Sequence, residues 1–303
     1  MDPRVLTEID ADTVAGVRAT LAAASAADGA EPLSEQFLLN LRPDAPRDGV
    51  RHVLLGGSGE SGRHDGPVPA YAQLDGEYAE LVVHPDERRA GHGSALVDAL
   101  EKLTAAPHVW AHGDLDAARA LAEKRGYRRD RVLWQMRRTA DAGDLPALTV
   151  PDGVTLRAFV PGTDDAEFLR VNNAAFDWHP EQGGWTGDEL AAREGEDWFD
   201  PAGFLLALDD ASGALLGYHW TKVHPAEETG EGAMGEVYVL GVDPAAHGRG
   251  LGGVLTLAGL HHLHDDRGLE TVLLYVEADN APAVKVYERL GFTVHAADVN
   301  YAR

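Results

Sequence analysis

The sequence predicts a mixed α/β fold (α+β, a mixed central sheet flanked by helices) that occurs twice in tandem. A ten-residue pattern at residues 84–93 returns at residues 243–252, where Pro244 lies 159 residues after Pro85. Each copy follows an apolar run that predicts a strand and precedes a run that predicts a helix. Strands and helices that alternate in this way are typical of sheets covered by helices.

Composition narrows the class of protein. At 303 residues and 44% apolar residues, the chain is long enough for two medium-sized globular domains. The absence of cysteine excludes disulfides and thiolate metal sites, and the net charge of −24 argues against a nucleic-acid partner. No apolar run approaches the ~18 residues of a membrane span, and residues 1–4 lack the pattern of a secretion signal. We therefore expect a cytoplasmic protein that does not bind membranes.

The negative charge is concentrated in the second half of the chain. Residues 1–138 carry 17 basic and 22 acidic side chains, whereas residues 139–303 carry 9 and 28. Two interpretations remain open: the charge keeps the protein soluble, or it attracts a cationic substrate such as an amine.

The predicted domains cover residues 1–138 and 153–303, and residues 139–152, with two prolines, are linker-like. In the first domain we expect helices at 11–27, 34–41, 91–105 and 115–125 and strands at 50–55, 67–74, 77–83, 109–112 and 127–138. In the second we expect helices at 164–176, from 186 onward, at 250–266 and at 280–290, and strands at 154–160, 203–208, 215–223, 236–242, 271–276 and 292–301.

Short signals fix several boundaries of these elements. Ser34 is a candidate cap for the second helix, and Thr186 with Glu189 has the spacing of a capping box. Gly126 and Gly291 are predicted to end their helices. Residues 209–213 predict a hairpin turn. The glycine-rich run 56–62 predicts a hairpin loop, because the Lys-Ser/Thr and the strong helix of a phosphate loop are missing there.

The repeated pattern carries the main functional signal. A glycine turn between a strand and a helix presents free backbone N–H groups and the positive end of the helix dipole, which suit a phosphorylated ligand. The turns Arg88–Gly93 and His247–Gly252 resemble the Arg/Gln-x-x-Gly-x-Gly/Ala turn of the GCN5-related N-acetyltransferase (GNAT) superfamily, although His247 replaces the usual Arg or Gln. The resemblance implies two tandem GNAT-fold domains that bind the pyrophosphate of acetyl-CoA, the co-substrate.

Four segments make the resemblance more specific: 178–185, 219–224, 235–244 and 274–280. They resemble the mycothiol synthase family, whose activity is transfer of the acetyl group of acetyl-CoA to the cysteinyl amine of a small glucosaminyl-inositol substrate. This resemblance is weakest in residues 1–75. Two other functions remain open, namely acetylation of another amine, such as an antibiotic or a protein N-terminus, and acyl-CoA sensing without catalysis.

The resemblance implies that the coenzyme contacts come from the strand end, the glycine turn and the late helix. In the first domain these residues are Leu81, Val82, Val83, Arg89, Ala90, Gly91, His92, Gly93 and Ser94. In the second they are Leu240, Gly241, Val242, His247, Gly248, Arg249, Gly250, Leu251, Gly252, Gly253, Asn280, Ala283 and Lys285. Gly241 lies inside a strand and indicates a bulge or a close backbone approach.

Acetyl transfer to an amine needs a base for the ammonium proton and an acid for the departing thiolate. Glu236 is the candidate base, with Glu77 as its counterpart in the first domain; the alternative is a solvated glutamate at a strand end. The resemblance implies that Tyr287, four residues before Gly291, is the acid; the alternative is a core aromatic. Since the first domain has Ala122 at the matching place, we expect only the second domain to be catalytic.

The resemblance also implies a set of polar contacts for the substrate: Glu35, Glu181, Lys222, Glu236 and Tyr275. The alternative for each is a surface charge. Histidines 179, 219, 224, 247, 261, 262 and 264 suggest a metal, but no carboxylate completes a convincing site, so we expect none. We expect a monomer, because tandem domains already supply an internal partner surface.

Overall fold

The computed structural model describes residues 2–42, 47–56, 66–177 and 182–303. Contacts between Cα atoms divide the chain into two compact units. The first consists of Met1–Trp134 and Ala296–Arg303, and the second of Gln135–His295. These units differ from the predicted domains at residues 135–152, which belong to the second unit, and at residues 296–303, which belong to the first.

The first unit is a mixed sheet with helices. Its strands are β1 (Arg4–Leu6), β2 (Arg51–Leu55), β3 (Ala70–Asp75), β4 (Tyr78–Val83), β5 (His108–Ala111), and parts of β6 (Arg128–Arg138) and β12 (Thr293–Ala302). Its helices are α1 (Ala11–Asp28), α2 (Glu35–Leu39), α3 (His92–Leu103) and α4 (Asp116–Arg125). Strands β1 to β4 pair antiparallel, β5 adds parallel to β4, and β12 pairs antiparallel with β5.

The second unit repeats this plan. Its strands are β7 (Val154–Ala158), β8 (Phe204–Asp209), β9 (Leu215–His224), β10 (Met234–Val242) and β11 (Thr271–Glu277), with the remainders of β6 and β12. Its helices are α5 (Asp165–Ala175), α6 (Gly187–Glu194), α7 (Ala226–Thr229), α8 (Leu251–His261) and α9 (Ala281–Arg289). Strands β7 to β10 pair antiparallel, and β11 adds parallel to β10.

Aromatic side chains form one core of the second unit. The rings of Phe204 and Trp220 stack at 4.5 Å with an angle of 9° between their planes. Phe168, from α5, meets Phe204 and Tyr218 edge to face at 5.0 and 4.7 Å. Such pairs add about 0.5–1.5 kcal/mol each beyond the burial of apolar area. They fix β8 and β9, against which β10 is aligned.

Several predicted boundaries are confirmed in detail. Glu189 accepts hydrogen bonds from the backbone N–H and hydroxyl of Thr186 at 2.7 and 2.8 Å, and the capping box is formed. Gly126 and Gly291 follow helices α4 and α9 with φ of 77° and 88°. The predicted helix 250–266 is α-helical to His261 and continues as a π-helical turn.

Other expectations were wrong or incomplete. Ser34 precedes α2, but its side chain makes no capping bond; instead its backbone N–H donates to Glu80 Oε2 at 2.7 Å. The short elements β1 and α7 were not predicted, because three and four residues are too few to show a period. Residues 57–62 of the predicted loop lie outside the described residues. None of the helices in the described part of the chain has the length and apolar character needed to cross a bilayer.

Candidate active site

Strand β10 separates from β11 halfway along its length. Its parallel pairing with β11 covers Met234–Val237, whereas its antiparallel pairing with β9 continues to Val242. A bulge lies between Val237 and Val239, so Tyr238 is the extra residue. The pairing of β10 with β11 ends at Val237, so the backbone groups on that edge of the following residues are not used by β11 and suit a ligand. The predicted coenzyme contacts Leu240, Gly241 and Val242 lie in this section.

Gly241 is explained by a close approach and not by the bulge. A Cβ atom at this position would lie 2.8 Å from the ring and hydroxyl of Tyr218, its partner on β9. Tyr218 is completely buried, and its hydroxyl donates to Asn172 Oδ1 at 2.6 Å. The ring is therefore fixed in place, and only glycine fits opposite it.

The second glycine turn forms the helix start that the sequence predicts. Gly248 and Gly250 have φ of 81° and 74°, and α8 begins at Leu251 without a side-chain cap. The first N–H groups of a helix have no partner within it, so they point to an anion site. A Cβ atom on Gly252 or Gly253 would meet no heavy atom within 4 Å, which leaves room for a ligand.

The first glycine turn has the same backbone shape. Arg89, at the place of Gly248, has φ of 67°, and Gly91, at the place of Gly250, has φ of 91°. One difference is steric, because a Cβ on Gly93, the counterpart of Gly252, would lie 3.2 Å from Leu121. The other predicted contacts of this unit lie on β4 or in the turn and the start of α3.

Arg88 and His247 hold equivalent positions in the two turns and make one equivalent contact. Arg88 Nε donates to the carbonyl of Val83, the last residue of β4, at 3.3 Å. His247 Nε2 lies 3.3 Å from the carbonyl of Val242, the last residue of β10. Both side chains therefore tie the turn back to the strand that precedes it. Arg88 adds two hydrogen bonds to Asp28, at 2.8 and 2.7 Å.

Glu236 lies on β10 just before the bulge. Its side chain is 9% exposed, and its Oε2 atom lies 2.7 Å from His224 Nε2. Its register partner on β9 is Lys222, so the two side chains point to the same face of the sheet. The contact with His224 was not predicted from the sequence, where His224 was considered only as a metal ligand.

The expected counterpart of Glu236 in the first unit was wrong. Glu77 lies in the exposed turn between β3 and β4, because β4 has no equivalent of the bulge in β10. The buried carboxylate of β4 is Glu80, which is 1% exposed. Its Oε1 atom lies 3.3 Å from His112 Nε2, and the other nitrogen of His112 lies 3.0 Å from Asp298 Oδ2.

His112 therefore lies between two carboxylates. Burial by itself lowers the pKa of an imidazole, but the negative charges of Glu80 and Asp298 and the hydrogen bond with Asp298 outweigh it and raise the pKa of His112 well above 6.5. Glu80 also accepts the Ser34 N–H, so its carboxylate is fully engaged. This arrangement differs from that of Glu236.

Tyr287 lies on α9 and is 8% exposed. Burial raises the pKa of its hydroxyl to about 12, so the phenol keeps its proton at neutral pH. Its ring meets Phe292 edge to face at 5.9 Å. Both the role of an acid and that of a core aromatic are compatible with this position, and the acid stays a prediction.

The remaining predicted coenzyme contacts on the late helix differ in their surroundings. Asn280 Oδ1 accepts the backbone N–H of Ala283 at 3.3 Å and caps α9. Ala283 is half-buried, and Lys285 is exposed. Asn280 therefore fixes the start of the helix that carries Tyr287.

The predicted substrate contacts lie on different elements. The Lys222 ammonium is buried over the rings of Trp198 and Tyr238, at 4.5 and 5.4 Å from their centroids. Tyr275, on β11, is 43% exposed, and its hydroxyl accepts a hydrogen bond from Gln135 at 2.8 Å. Glu35 begins α2 in the first unit. Glu181 lies outside the described residues.

Most histidines that suggested a metal have protein partners. Nδ1 of His219 lies 2.7 Å from the Leu255 carbonyl, and His261 and His262 pair with Asp265 and Asp266. Within the described ranges, no group of three or more His, Asp or Glu side chains has the arrangement of a metal site.

Comparison with known proteins identifies the family of this chain. The model of the acetyltransferase (GNAT) family matches residues 52–127 and 172–292. A mycothiol acetyltransferase of Nocardia farcinica is 54% identical, with 97% of this chain and 95% of that protein covered. A mycothiol acetyltransferase of Thermomonospora curvata is 52% identical, with 99% and 98% covered.

Solved structures show the same fold. A GCN5-related N-acetyltransferase from Sphaerobacter thermophilus has a TM-score of 0.68 and 26% identity, with 99% of this chain and 95% of that chain covered. A tandem GNAT protein of the clavulanic acid pathway has a TM-score of 0.70 and 21% identity, with 100% and 98% covered.

The repeated fold and its glycine turns are those of a tandem acetyltransferase. Enzymes of this class take their acetyl group from acetyl-CoA. The chain belongs to the acetyltransferase (GNAT) family and, within it, to the mycothiol acetyltransferases. The predicted fold class, the family and the acetyltransferase activity are thereby confirmed.

Proposed function

We propose that the second unit transfers the acetyl group of acetyl-CoA to the cysteinyl amine of desacetylmycothiol, the Cys-glucosaminyl-inositol precursor of mycothiol. Similarity over nearly the full length to mycothiol acetyltransferases supports this substrate. The observation that carries the chemistry is Glu236, a carboxylate on β10 just before the bulge that is 9% exposed and hydrogen-bonded to His224.

Glu236 acts as the general base. The attacking amine is protonated near neutral pH, and its nitrogen becomes a nucleophile only after it loses a proton. Glu236 precedes the bulge at which β10 leaves β11. A substrate ammonium bound beside that opening meets a carboxylate that also attracts its charge.

Tyr287 acts as the general acid. The thiolate that leaves when the thioester breaks needs a proton, and burial keeps the phenol of Tyr287 protonated. Asn280 and Gly291 fix the two ends of the helix that carries Tyr287, and the ring of Tyr287 packs against Phe292.

The start of α8 fits the pyrophosphate of acetyl-CoA. Its first N–H groups, the positive end of its dipole and the open space at Gly252 and Gly253 match a bulky anion. His247 and Arg249 lie in the turn that leads into α8, and the guanidinium of Arg249 adds a positive charge there. Leu240, Gly241 and Val242 supply backbone groups for the thioester carbonyl and the pantetheine arm.

The first unit keeps a coenzyme-type turn but has no acid at Ala122, and its buried carboxylate Glu80 is paired with His112. We therefore assign catalysis to the second unit alone. The other finer proposals are that Glu35, Glu181, Lys222, Glu236 and Tyr275 bind the substrate, and that the enzyme is a cytoplasmic monomer without a metal. Sedimentation at several protein concentrations tests the proposed monomeric state.

The decisive assay compares desacetylmycothiol with simpler amines as acetyl acceptors, and wild-type enzyme with Glu236→Gln. We expect desacetylmycothiol to be strongly preferred, and Glu236→Gln to lower kcat by about 10²–10⁴-fold, the usual contribution of a general base. Equal rates with simple amines would favour another acceptor. Coenzyme binding without turnover of any amine would favour an acyl-CoA sensor. Full activity of Glu236→Gln would show that Glu236 is not the general base.

A further inference from the structure

The side chain of Tyr238, the extra residue of the bulge in β10, is held by helix α6. The Nε atom of Arg193 on α6 donates a hydrogen bond to the Tyr238 hydroxyl at 2.8 Å. The Tyr238 ring meets those of Trp198 and Trp220 edge to face, with centroids 5.0 and 5.5 Å away. Tyr238 and the next residue, Val239, both pack on the aromatic core of this unit. The bulged residue is therefore held by its side chain as well as by its backbone.

Arg193 is itself fixed in place. Only 6% of the residue is exposed, and its Nη1 atom donates to the carbonyl of Glu189, one turn earlier in α6, at 3.1 Å. Its guanidinium lies 4.1 Å from the centre of the Trp185 ring, within the range of a cation–π interaction. The side chain of Asn173, on α5, bonds the backbone N–H and carbonyl of Trp185 at 2.9 Å each. The position of the Tyr238 hydroxyl is thus set from α5 and α6 and not by β10 alone.

The place of the bulge along β10 decides the geometry of the candidate site. Glu236 lies just before the bulge, and the pairing with β11 ends at Val237. The backbone groups of residues 240–242, the predicted coenzyme contacts, follow directly after it. Since a bulge inserts one residue into a strand, a bulge displaced by one residue would turn side chains to the opposite face of the sheet. A side chain that holds the bulge at Tyr238 therefore also holds the base and the coenzyme contacts in register.

We propose that Arg193 is a positioning residue that holds the bulge at Tyr238 and so aligns the coenzyme-binding section of β10 with the Glu236 carboxylate. This inference rests on the proposed base and coenzyme site on β10. We call the hydrogen bond between Arg193 and Tyr238 the bulge clamp. The Tyr238 ring also lies 5.4 Å from the Lys222 ammonium, so the clamp sets the surroundings of a predicted substrate contact as well.

Two variants of the full chain remove the clamp from opposite sides. Tyr238→Phe removes one oxygen atom and keeps the ring contacts, and Arg193→Met removes the donor and keeps an unbranched side chain. We expect each to lower kcat/KM for acetyl-CoA about tenfold to a hundredfold, with KM raised at least about fivefold, because a displacement of about 1 Å can cost about 10²-fold. The double variant should be no slower than the slower single variant, since both changes remove the same hydrogen bond.

The matched control is Arg157→Met, which removes an arginine clamp elsewhere in the same unit. Arg157, on β7, donates two hydrogen bonds to Asp164 at 2.6 and 2.7 Å, and β7 pairs with β8 and not with β10. We expect this variant to keep KM for acetyl-CoA within about threefold of wild type, even where its stability falls.

The division of the effect between kcat and KM distinguishes positioning from loss of structure. A partly unfolded enzyme has a lower kcat per total protein and an unchanged KM, whereas a displaced bulge raises KM. Wild-type kcat/KM in Tyr238→Phe, a lower kcat with unchanged KM, or a double variant whose loss is the product of the two single losses would overturn the clamp. Should Arg193→Met fail to fold, Tyr238→Phe decides by its kcat and KM.

The variant Glu236→Gln separates failure of the clamp from failure of the proposed function. If the clamp variants behave like the wild type and Glu236→Gln is inactive, the base on β10 remains and only the clamp fails. If Glu236→Gln is also fully active, the proposed function of Glu236 has failed.

Discussion

The carbonyl of Tyr287 accepts the backbone N–H of Phe292 at 3.0 Å, and the carbonyl of Ala122 accepts that of Tyr127 at 2.9 Å. In both helices the following glycine, Gly291 or Gly126, bonds three residues back at 3.1 Å. The two helices therefore end in the same Schellman motif. The phenol of one unit and the methyl group of the other hold the same position in this motif, so at this position the two units differ in chemistry and not in backbone geometry.

We expect Tyr287→Phe to lower kcat by about a hundredfold, because the phenylalanine cannot protonate the departing thiolate. The variant retains the ring contact with Phe292, which packs across the end of α9. Binding of acetyl-CoA, measured by calorimetry, should therefore stay within about threefold of wild type, about 0.6 kcal/mol. An unchanged kcat would show that Tyr287 is only a core aromatic.

Gly241→Ala should destabilise the second unit. The new methyl group would lie 2.8 Å from the fixed ring of Tyr218, and overpacking of this kind costs about 1–3 kcal/mol. The matched control is Gly187→Ala at the start of α6, where a methyl group meets nothing within 4 Å and should be neutral or slightly stabilising. Urea unfolding followed by tryptophan fluorescence measures both variants. A Gly241→Ala midpoint equal to that of Gly187→Ala would contradict the close approach.

The anion site at the start of α8 is tested by charge alone. Gly252→Asp places a carboxylate in the open space beside the first N–H groups, whereas Gly252→Asn adds the same volume without charge. We expect the Asp variant to raise KM for acetyl-CoA about tenfold more than the Asn variant, because like charges repel at short range. Stability should not fall more in the Asp variant, since an acidic residue in the first turn favours a helix. Equal KM values for the two variants would mean that the pyrophosphate binds elsewhere.

His112→Ala should destabilise the first unit by about 3 kcal/mol, because it leaves the buried Glu80 carboxylate without its cationic partner. The control His84→Ala removes an imidazole that lies 3.9 Å from the exposed Asp86 carboxylate and accepts the Asp86 backbone N–H at 3.3 Å, and it should cost about 1 kcal/mol. Hydrogen exchange of amides in β4 and β5 measures the opening of this unit. Protection that is the same in the two variants would exclude a buried charge cluster.

The same cluster sets a pH dependence. Because the pKa of His112 is raised in the folded state, its stabilising contribution is complete below about pH 6.5, its unfolded value, and is lost as the pH rises towards the folded pKa. Exchange protection of β4 and β5 should therefore fall above neutral pH in the wild type. In His112→Gln this fall should be absent. A rise in protection with pH that occurs in the wild type only would show that the pKa of His112 is lowered, not raised, by folding.

The local signals in the sequence were sufficient for much of the fold and for the glycine turns. Thr186 with Glu189, Gly126 and Gly291 are short-range patterns with a direct backbone consequence, and each appears at its predicted place. The fixed offset of 159 residues correctly pairs Gly91 with Gly250. For residues before Tyr238 the same offset is wrong, because the bulge adds one residue to β10 that β4 lacks, and Glu77 is therefore not the counterpart of Glu236.

The contacts that decide the chemistry depend on register and on long-range packing. His224 meets Glu236 only because β9 and β10 pair with His224 opposite Met234, which the sequence does not specify. Asp298 meets His112 from 186 residues away in the chain. No periodicity in the sequence reports such a distance, so the pairing of titratable groups had to be read from the fold.

Strands β6 and β12 each contribute residues to both units, and residues 296–303 at the end of the chain belong to the first. The chain therefore cannot be divided at residues 139–152 into two complete units. Deleting the first copy would leave the last strand without most of its own unit. Removal of either copy would therefore also remove strand residues that belong to the other, so the two can be lost only together.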